Sequence, residues 1–359
     1  MRKLVMTVLD QLELQTAPEP GPPAPGDVVI EVDASGLGIS QLHILAGTTH
    51  RGPLPRMLGH EIVGRVSAAG TGVTHLSVGD PVVVNTLVGC GTCRQCLRGQ
   101  ESVCHRRAFI GMETDGGWAD FISVPANRVF RLPPGRPSAE AVMVASALPS
   151  AYHAVRKAGV RPGDRVAVFG LGSIGGLICQ VARSFGATTV VGVLGHPRGL
   201  GPLGALLDGA VDVSDLSDSA AAEAVRATSG ADGADVVFES AGVARMLDIG
   251  IASVRTGGVV LAMGLIKGSH SIAFADYMHD FAMREIEIRT TYAYNNDDFP
   301  PTIDLYAGGR INVAGLIAGE VQPEEVQGLV DRMRREGTGG RRYAIRILSS
   351  VVRRPLPLA

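Results

Sequence analysis

Residues 165–185 hold the pattern that most restricts this chain. An apolar run, Arg165–Phe169, leads into Gly170-Leu171-Gly172-Ser173-Ile174-Gly175, after which Ile174, Leu177, Ile178, Val181 and Phe185 recur at helical spacing. A strand, a G-x-G-x-x-G turn and a helix in that order are the opening of a βαβ unit that binds a dinucleotide. Gly170 permits the tight turn, and Gly172 lets the backbone approach a pyrophosphate at the helix N-terminus. Gly175 lets helix and strand pack closely. Further strand runs at Thr189–Leu194, Val236–Glu239 and Gly258–Met263 alternate with helical stretches. That alternation predicts an α/β domain with a doubly wound parallel sheet. Ser173 and Ile174 in the turn, and Gly264 after the last of these strands, are candidate cofactor contacts.

The adenosine end of such a site usually carries an acid about 20 residues beyond the turn, which binds the ribose hydroxyls of NAD. Here the segment reads Val193-Leu194-Gly195-His196-Pro197-Arg198, without an acid. Leu194 does not repel a 2′-phosphate, Gly195 leaves room, and His196 and Arg198 are able to bind one, so NADP(H) is expected over NAD(H).

Upstream the pattern changes. After the Pro/Gly-rich stretch 17–26, short β-branched runs such as Val28–Val32, Ile62–Val66 and Pro81–Val84 are broken by glycine, which reads as a β-barrel-like unit. The length of 359 residues suits two domains. The β-rich domain is interrupted by the nucleotide-binding one, and the C-terminal segment rejoins it. A net charge of −2 gives no basic field for nucleic acid or anionic membrane. No run approaches the roughly 18 apolar residues of a membrane span. The start MRKLVMTVLD is cut off by Asp10 and lacks a small-residue cleavage site, so a cytoplasmic location is expected.

Four of the five cysteines fall in CGTCRQCLRGQESVC: Cys90, Cys93, Cys96 and Cys104. Four thiolates this close can converge on one tetrahedral ion and leave no position open for water or substrate, which points to one structural zinc. Disulfides and an iron–sulfur cluster are the alternatives. Nothing suggests secretion, and the bacterial ferredoxin run has a shorter last gap followed by proline where His105 stands here.

Gly59-His60-Glu61, Val78-Gly79-Asp80, the cysteine lobe, Gly116-Gly117-Trp118-Ala119-Asp120-Phe121 and the glycine turn occur in that order. In this combination the chain resembles the medium-chain dehydrogenase/reductase superfamily, in its zinc-type alcohol dehydrogenase branch. The resemblance covers essentially the whole chain. It implies a GroES-like β-barrel catalytic domain over 1–153 and 291–359, with the structural zinc lobe at 88–106, and a Rossmann domain over 154–290. It also implies hydride transfer with a small-molecule substrate, and a homodimer or homotetramer. Arg342 resembles a basic residue that reaches the pyrophosphate.

Most members of that branch hold a catalytic zinc on a Cys, the His of the Gly-His-Glu motif and a further Cys or Asp. At the matching positions this chain has Gly38, His60 and Ser146, and Gln41 stands where the family has an Asp that orients the histidine. The catalytic zinc is therefore expected to be absent, unless His60, Glu61 and His43 form a rearranged site. Ser40 and His43 match the family's hydroxyl–histidine proton relay, and His60 and Glu61 are further acid candidates. Without a Lewis acid the expected reaction is NADPH-dependent hydride transfer to an activated C=C or C=N bond. The competing readings are a zinc-assisted alcohol dehydrogenase or carbonyl reductase with an irregular site, and a redox-neutral NADP-binding protein or cyclase.

Overall fold

The computed structural model describes residues 1–49, 52–135, 138–196, 200–337 and 340–347. The chain divides into two units. The first comprises 1–149, 294–309 and the described residues from 316 onward; the second comprises 150–293 and 310–315.

The first unit is built on the long strand Asp27–Leu37, which pairs antiparallel with Ile62–Ala69, Phe121–Pro125 and Arg342–Arg346. Pro81–Val84 and Val129–Arg131 extend the sheet on one side, and Ile317–Val321 on the other. With partners on each side, Asp27–Leu37 buries Val28, Ile30, Val32 and Leu37 in a core shared with Ile62, Val66, Val82, Val84 and Trp118. Each such aliphatic side chain contributes about 1.5–3 kcal/mol on leaving water. The pairing of Tyr343 with Leu37 and of Ala344 with Gly36 brings Arg342 beside the segment that follows Leu37.

The second unit is a six-stranded sheet in the order Gly209–Asp212, Thr189–Leu194, Arg165–Phe169, Ala234–Glu239, Val254–Ala262, Glu287–Thr290. Every pairing in it is parallel. This is the doubly wound arrangement of dinucleotide-binding proteins, whose ligand seat lies at the carboxyl ends of the strands. The helix Ser173–Ser184 buries Leu177, Ile178, Cys179, Val181 and Ala182. It ends where Gly186, at φ +94°, lets the chain turn against Pro162. Phe185 caps this helix and meets Tyr152 edge-on at 5.4 Å, which places Tyr152 in packing. Among the described residues no helix is long and apolar enough to cross a membrane.

Candidate functional site

In the second unit the glycine turn has the geometry its spacing implies. Gly170 sits at φ +90°, where a Cβ would strike Ala241 at 2.8 Å. A Cβ on Gly175 would land on the Gly170 carbonyl oxygen, so a side chain there would push the helix off the strand. The Ser240 hydroxyl braces the turn by donating to the carbonyls of Phe169 and Gly170 at 3.0 and 2.8 Å. Gly172 precedes Ser173, and the helix has no acidic residue in its first turn, so its N-terminus remains suited to an anion. Ser173 is buried, and Ile174 is half-buried beside it. Gly264 donates its N–H to the Glu239 carbonyl at 3.0 Å, and a Cβ there would collide with Gly242. This close approach ties together the loops that follow two adjacent strands.

Leu194 ends its strand buried, and Gly195 is packed on Met246 so that a Cβ would meet the methionine methyl. His196 is exposed, and Arg198 lies outside the described residues. One charge here was invisible to a search about 20 residues past the turn. Asp212, on the edge strand and in register with Leu194, lies close enough to interact with His196. Hydrogen bonds from the hydroxyl and N–H of Ser214, at 2.6 and 2.9 Å, chiefly hold its carboxyl below the usual range, and His196 adds to the effect.

In the first unit the helix Ile39–Leu45 carries Ser40, Gln41 and His43. The Gln41 side chain turns back on its own N-terminus. Its Oε1 accepts from the Gly38 N–H at 2.9 Å and from the Ser40 hydroxyl at 3.0 Å. Its Nε2 donates to the Gly36 carbonyl at 3.2 Å and faces His60 Nδ1 at 3.2 Å. The other ring nitrogen, Nε2, is 3.4 Å from Ser40 Oγ. His60 is buried, held by Gly59 at φ +97°, where a Cβ would collide with Trp118. Trp118 is wholly enclosed in the core. Thr86 donates to the His60 carbonyl at 3.0 Å. His43 is half-buried one turn after Ser40, on the same side of the helix.

Glu61 is fully buried, and its Oε1 accepts from Arg342 Nε at 2.8 Å. Burial pushes the Glu61 carboxyl above its ordinary value, while the Arg342 charge and hydrogen bond pull the other way. The contact the structure shows for Arg342 is thus with Glu61, inside the first unit. Its stem also fills the space beside Gly38, where an added Cβ would lie 3.2 Å from Arg342 Cγ and 3.3 Å from its Nε. A side chain at this position would need Arg342 to give way by a few tenths of an ångström. Ser146, buried after the helix that ends at Ala145, offers a hydroxyl, which is a poor zinc donor. The donor set at Gly38, His60 and Ser146 does not fit a catalytic zinc.

The cysteine lobe does fit a metal. The four Sγ atoms of Cys90, Cys93, Cys96 and Cys104 lie within 4.8 Å of one another, and the Cys93–Cys104 and Cys90–Cys96 separations are 3.7 and 4.0 Å. A tetrahedron with zinc–sulfur bonds near 2.3 Å has edges of about 3.8 Å. Backbone N–H groups of Thr92 and Cys93 draw the Cys90 thiol down to about 5. Burial pushes Cys96 up to about 12. Gly89 lets the chain close on Cys96, since a Cβ would lie 2.8 Å from its sulfur. Two contacts fasten the lobe to the rest of its unit. Arg128 forms a two-pronged ion pair with Glu101 at 2.6 and 2.8 Å, and the Ser102 N–H donates to Asn295 at 2.9 Å. The fifth cysteine, Cys179, is enclosed in its helix, with its thiol pushed up to about 12 by burial. It is expected to resist iodoacetamide in the native protein at neutral pH and to react only after denaturation, as mass spectrometry would read.

A glycine turn on a parallel sheet, joined in one chain to a β-barrel-like unit with a four-cysteine lobe, defines a dinucleotide-dependent dehydrogenase. The family described as "Alcohol dehydrogenase GroES-like domain" matches residues 24–134, and that described as "Zinc-binding dehydrogenase" matches residues 173–308. The probable D-xylulose reductase A of Aspergillus clavatus is 30% identical over 333 residues, covering 90% of each chain. Its counterpart in Neosartorya fischeri is 31% identical over 333 residues, covering 89% of each. Among solved structures, a putative zinc-binding dehydrogenase from Sinorhizobium meliloti bound to NADP superposes with a TM-score of 0.86 at 25% identity, over 96% of this chain and 98% of that one. An alcohol dehydrogenase from Thermus sp. ATN1 gives 0.85 at 27% identity, over 96% and 99%. The chain belongs to the medium-chain dehydrogenase/reductase superfamily, in its zinc-type alcohol dehydrogenase branch. It is accordingly an NAD(P)-dependent oxidoreductase with a GroES-like unit and a Rossmann unit.

Proposed function

We propose that this enzyme is an NADPH-dependent reductase that delivers hydride to an activated C=C or C=N bond of a small molecule without a catalytic zinc. The observation that carries this reading is the donor set around His60. Gly38 has no side chain, and a Cβ there would press on Arg342; Ser146, matched to a ligand position by the family resemblance, is a weak donor; and an amide rather than a carboxylate faces His60 Nδ1. When bound, the nicotinamide supplies the hydride. Gly170, Gly172 and Gly175 seat the pyrophosphate, and Ser173 and Ile174 begin the helix that faces it. Leu194, Gly195 and His196 surround the ribose. His60 offers a hydrogen bond to the group that gains charge, with Ser40 beside its ring and His43 on the helix that carries Ser40. An iminium loses its positive charge on accepting hydride and needs no proton. A reduced enone needs one at its α-carbon.

The lobe of Cys90, Cys93, Cys96 and Cys104 holds one structural zinc in this reading, and the reduced cytoplasm keeps its thiols available. A homodimer or homotetramer is the expected assembly. A second reading is favoured by the relatives, whose names specify D-xylulose reduction: a zinc-assisted carbonyl reductase with an irregular site. Metal analysis of the purified protein separates the two. About one zinc per chain supports the proposal and about two overturns it. A panel of enones, cyclic iminiums, aldehydes and D-xylulose, followed by NADPH absorbance, should show turnover confined to the first two classes. Turnover of D-xylulose alone would overturn the substrate class. No turnover at all would favour a redox-neutral NADP-binding protein.

The coenzyme preference has its own test. Leu194→Asp sets a carboxylate against the 2′-phosphate and should move the NADPH/NADH ratio of kcat/KM toward NADH by about tenfold or more, equivalent to about 1.4 kcal/mol. Asp212→Asn removes a charge near His196 and should move it the other way by a few-fold. Unchanged ratios in both variants would mean that the ribose lies elsewhere.

A further inference from the structure

The hydrogen bonds around Gln41 have only one consistent direction. The Gly38 N–H can only donate and the Gly36 carbonyl can only accept, so the amide is oriented by two fixed backbone groups, at 2.9 and 3.2 Å. Reversing it would set oxygen against oxygen and N–H against N–H. In the orientation that remains, Gln41 Nε2 presents a hydrogen to His60 Nδ1, which must offer its lone pair. The single proton of the neutral ring is then on Nε2. Ser40 completes the circuit, because its hydroxyl hydrogen goes to Gln41 Oε1 and its oxygen is left to accept from the ring at 3.4 Å.

We infer that Gln41 holds His60 as the neutral Nε2–H tautomer, so that Nε2 carries a proton, shared with Ser40 Oγ at 3.4 Å until a substrate acceptor competes for it, where a zinc ligand would offer a lone pair. A histidine that binds metal through Nε2 needs the opposite tautomer, with Nδ1–H donated to a carboxylate or carbonyl. Gln41 is a positioning residue that acts through His60, and His60 is the group that meets the substrate. The acceptor it suits is an oxygen or nitrogen that becomes more negative during hydride transfer, such as an enolate oxygen. A neutral imidazole stabilises that charge by donation without giving up its proton. The same wiring revises the role of Ser40. Its proton is engaged with Gln41, so in this state Ser40 is an acceptor for His60 and not the head of a relay.

The inference rests on the metal-free reading of this site, but its test is separate from activity. Histidine is labelled with 15N in the full-length protein as purified, and His60 is assigned by loss of its signals in His60→Asn. Two-bond proton–nitrogen correlations should show His60 with Nε2 protonated and Nδ1 bare. In Gln41→Glu a carboxylate oxygen replaces the amide nitrogen opposite Nδ1, and Nδ1 should gain a proton. One added equivalent of zinc chloride should leave the wild-type His60 signals in place. A wild-type ring protonated at Nδ1, a His60 signal that moves with zinc, or a tautomer unchanged in Gln41→Glu would each overturn the inference. Should Gln41→Glu fail to fold, the wild-type spectrum decides alone. A failed substrate panel with the expected tautomer would count against the proposed reaction and leave this wiring standing.

Discussion

Replacing Arg342 by methionine is expected to destabilise the first unit by about 3–5 kcal/mol in mildly alkaline buffer, the cost of leaving one partner of a buried ion pair alone. Glu61 is fully enclosed, and Arg342 Nε is its hydrogen-bonding cation at 2.8 Å. Its other oxygen makes no hydrogen bond among the described residues. Methionine keeps most of the stem volume beside Gly38, so the loss is mainly electrostatic. Its sign with pH follows from the direction of the Glu61 shift. Burial raises the carboxyl above its ordinary value of 4.5, and Arg342 opposes the rise. A group raised on folding binds its proton more tightly in the native state. Its contribution is therefore present in full below the unfolded value and lost as pH climbs through the folded one. Removing Arg342 pushes the folded value higher still, so the variant should approach wild-type stability in acid and fall away from it as pH rises. Glu61→Gln should be destabilising with little pH dependence, because it leaves a buried cation instead. The double variant should recover most of the loss, giving a coupling that urea denaturation across pH would measure. A pH-independent cost in Arg342→Met, or simple additivity, would show that the pair does not act as argued.

What could be read in advance divides along physical lines. Local pattern was sufficient where a segment answers to its immediate neighbours. The runs Arg165–Phe169 and Thr189–Leu194 are strands with those ends, and the helical run from Ser173 stops with Phe185 as its cap. The run Val28–Val32 proved to be the first half of an eleven-residue strand. Gly36 lies inside that strand, where glycine is required because a Cβ would strike Glu61. Gly257 and Gly258 likewise lie within the strand Val254–Ala262, whose pairing shifts register between Ala234 and Val236 of its neighbour. In the site, the motifs located the residues and left their connections hidden. Arg342 and Glu61 are 281 residues apart, and their meeting depends on the pairing of Arg342–Arg346 with Asp27–Leu37. Asp212 reaches His196 through sheet register, which no spacing rule within one strand can encode. The orientation of the Gln41 amide depends on two backbone groups whose directions exist only once the strand Asp27–Leu37 and the helix Ile39–Leu45 have both formed.

The cysteine lobe should give the largest effect of any single substitution. Cys104→Ser is expected to abolish zinc retention through gel filtration and to unfold the lobe locally, while the rest of the first unit stays folded. Cys104 is the buried member of the four, its sulfur lies 3.7 Å from that of Cys93, and the Arg106 N–H donates to it at 3.3 Å. A hydroxyl in its place neither ionises at neutral pH nor binds zinc well. Structural zinc contributes about 10–16 kcal/mol in small zinc-dependent peptides. Even about 4 kcal/mol of that, confined to this lobe, amounts to about a thousandfold in its opening equilibrium. Amide exchange at Cys96 and Arg106, whose N–H groups point at sulfur, should accelerate by about that factor. Trypsin should then cut after Arg94 and Arg98, which are exposed on the lobe surface and protected only by its fold. The base of the lobe should hold, because Glu101 remains paired with Arg128 and Ser102 with Asn295. Cys179→Ala, a change of similar size in the helix of the second unit, serves as the control and should keep its zinc and its resistance to trypsin. Full zinc content and an unaltered digestion pattern in Cys104→Ser would show that the four sulfurs converge without holding a metal.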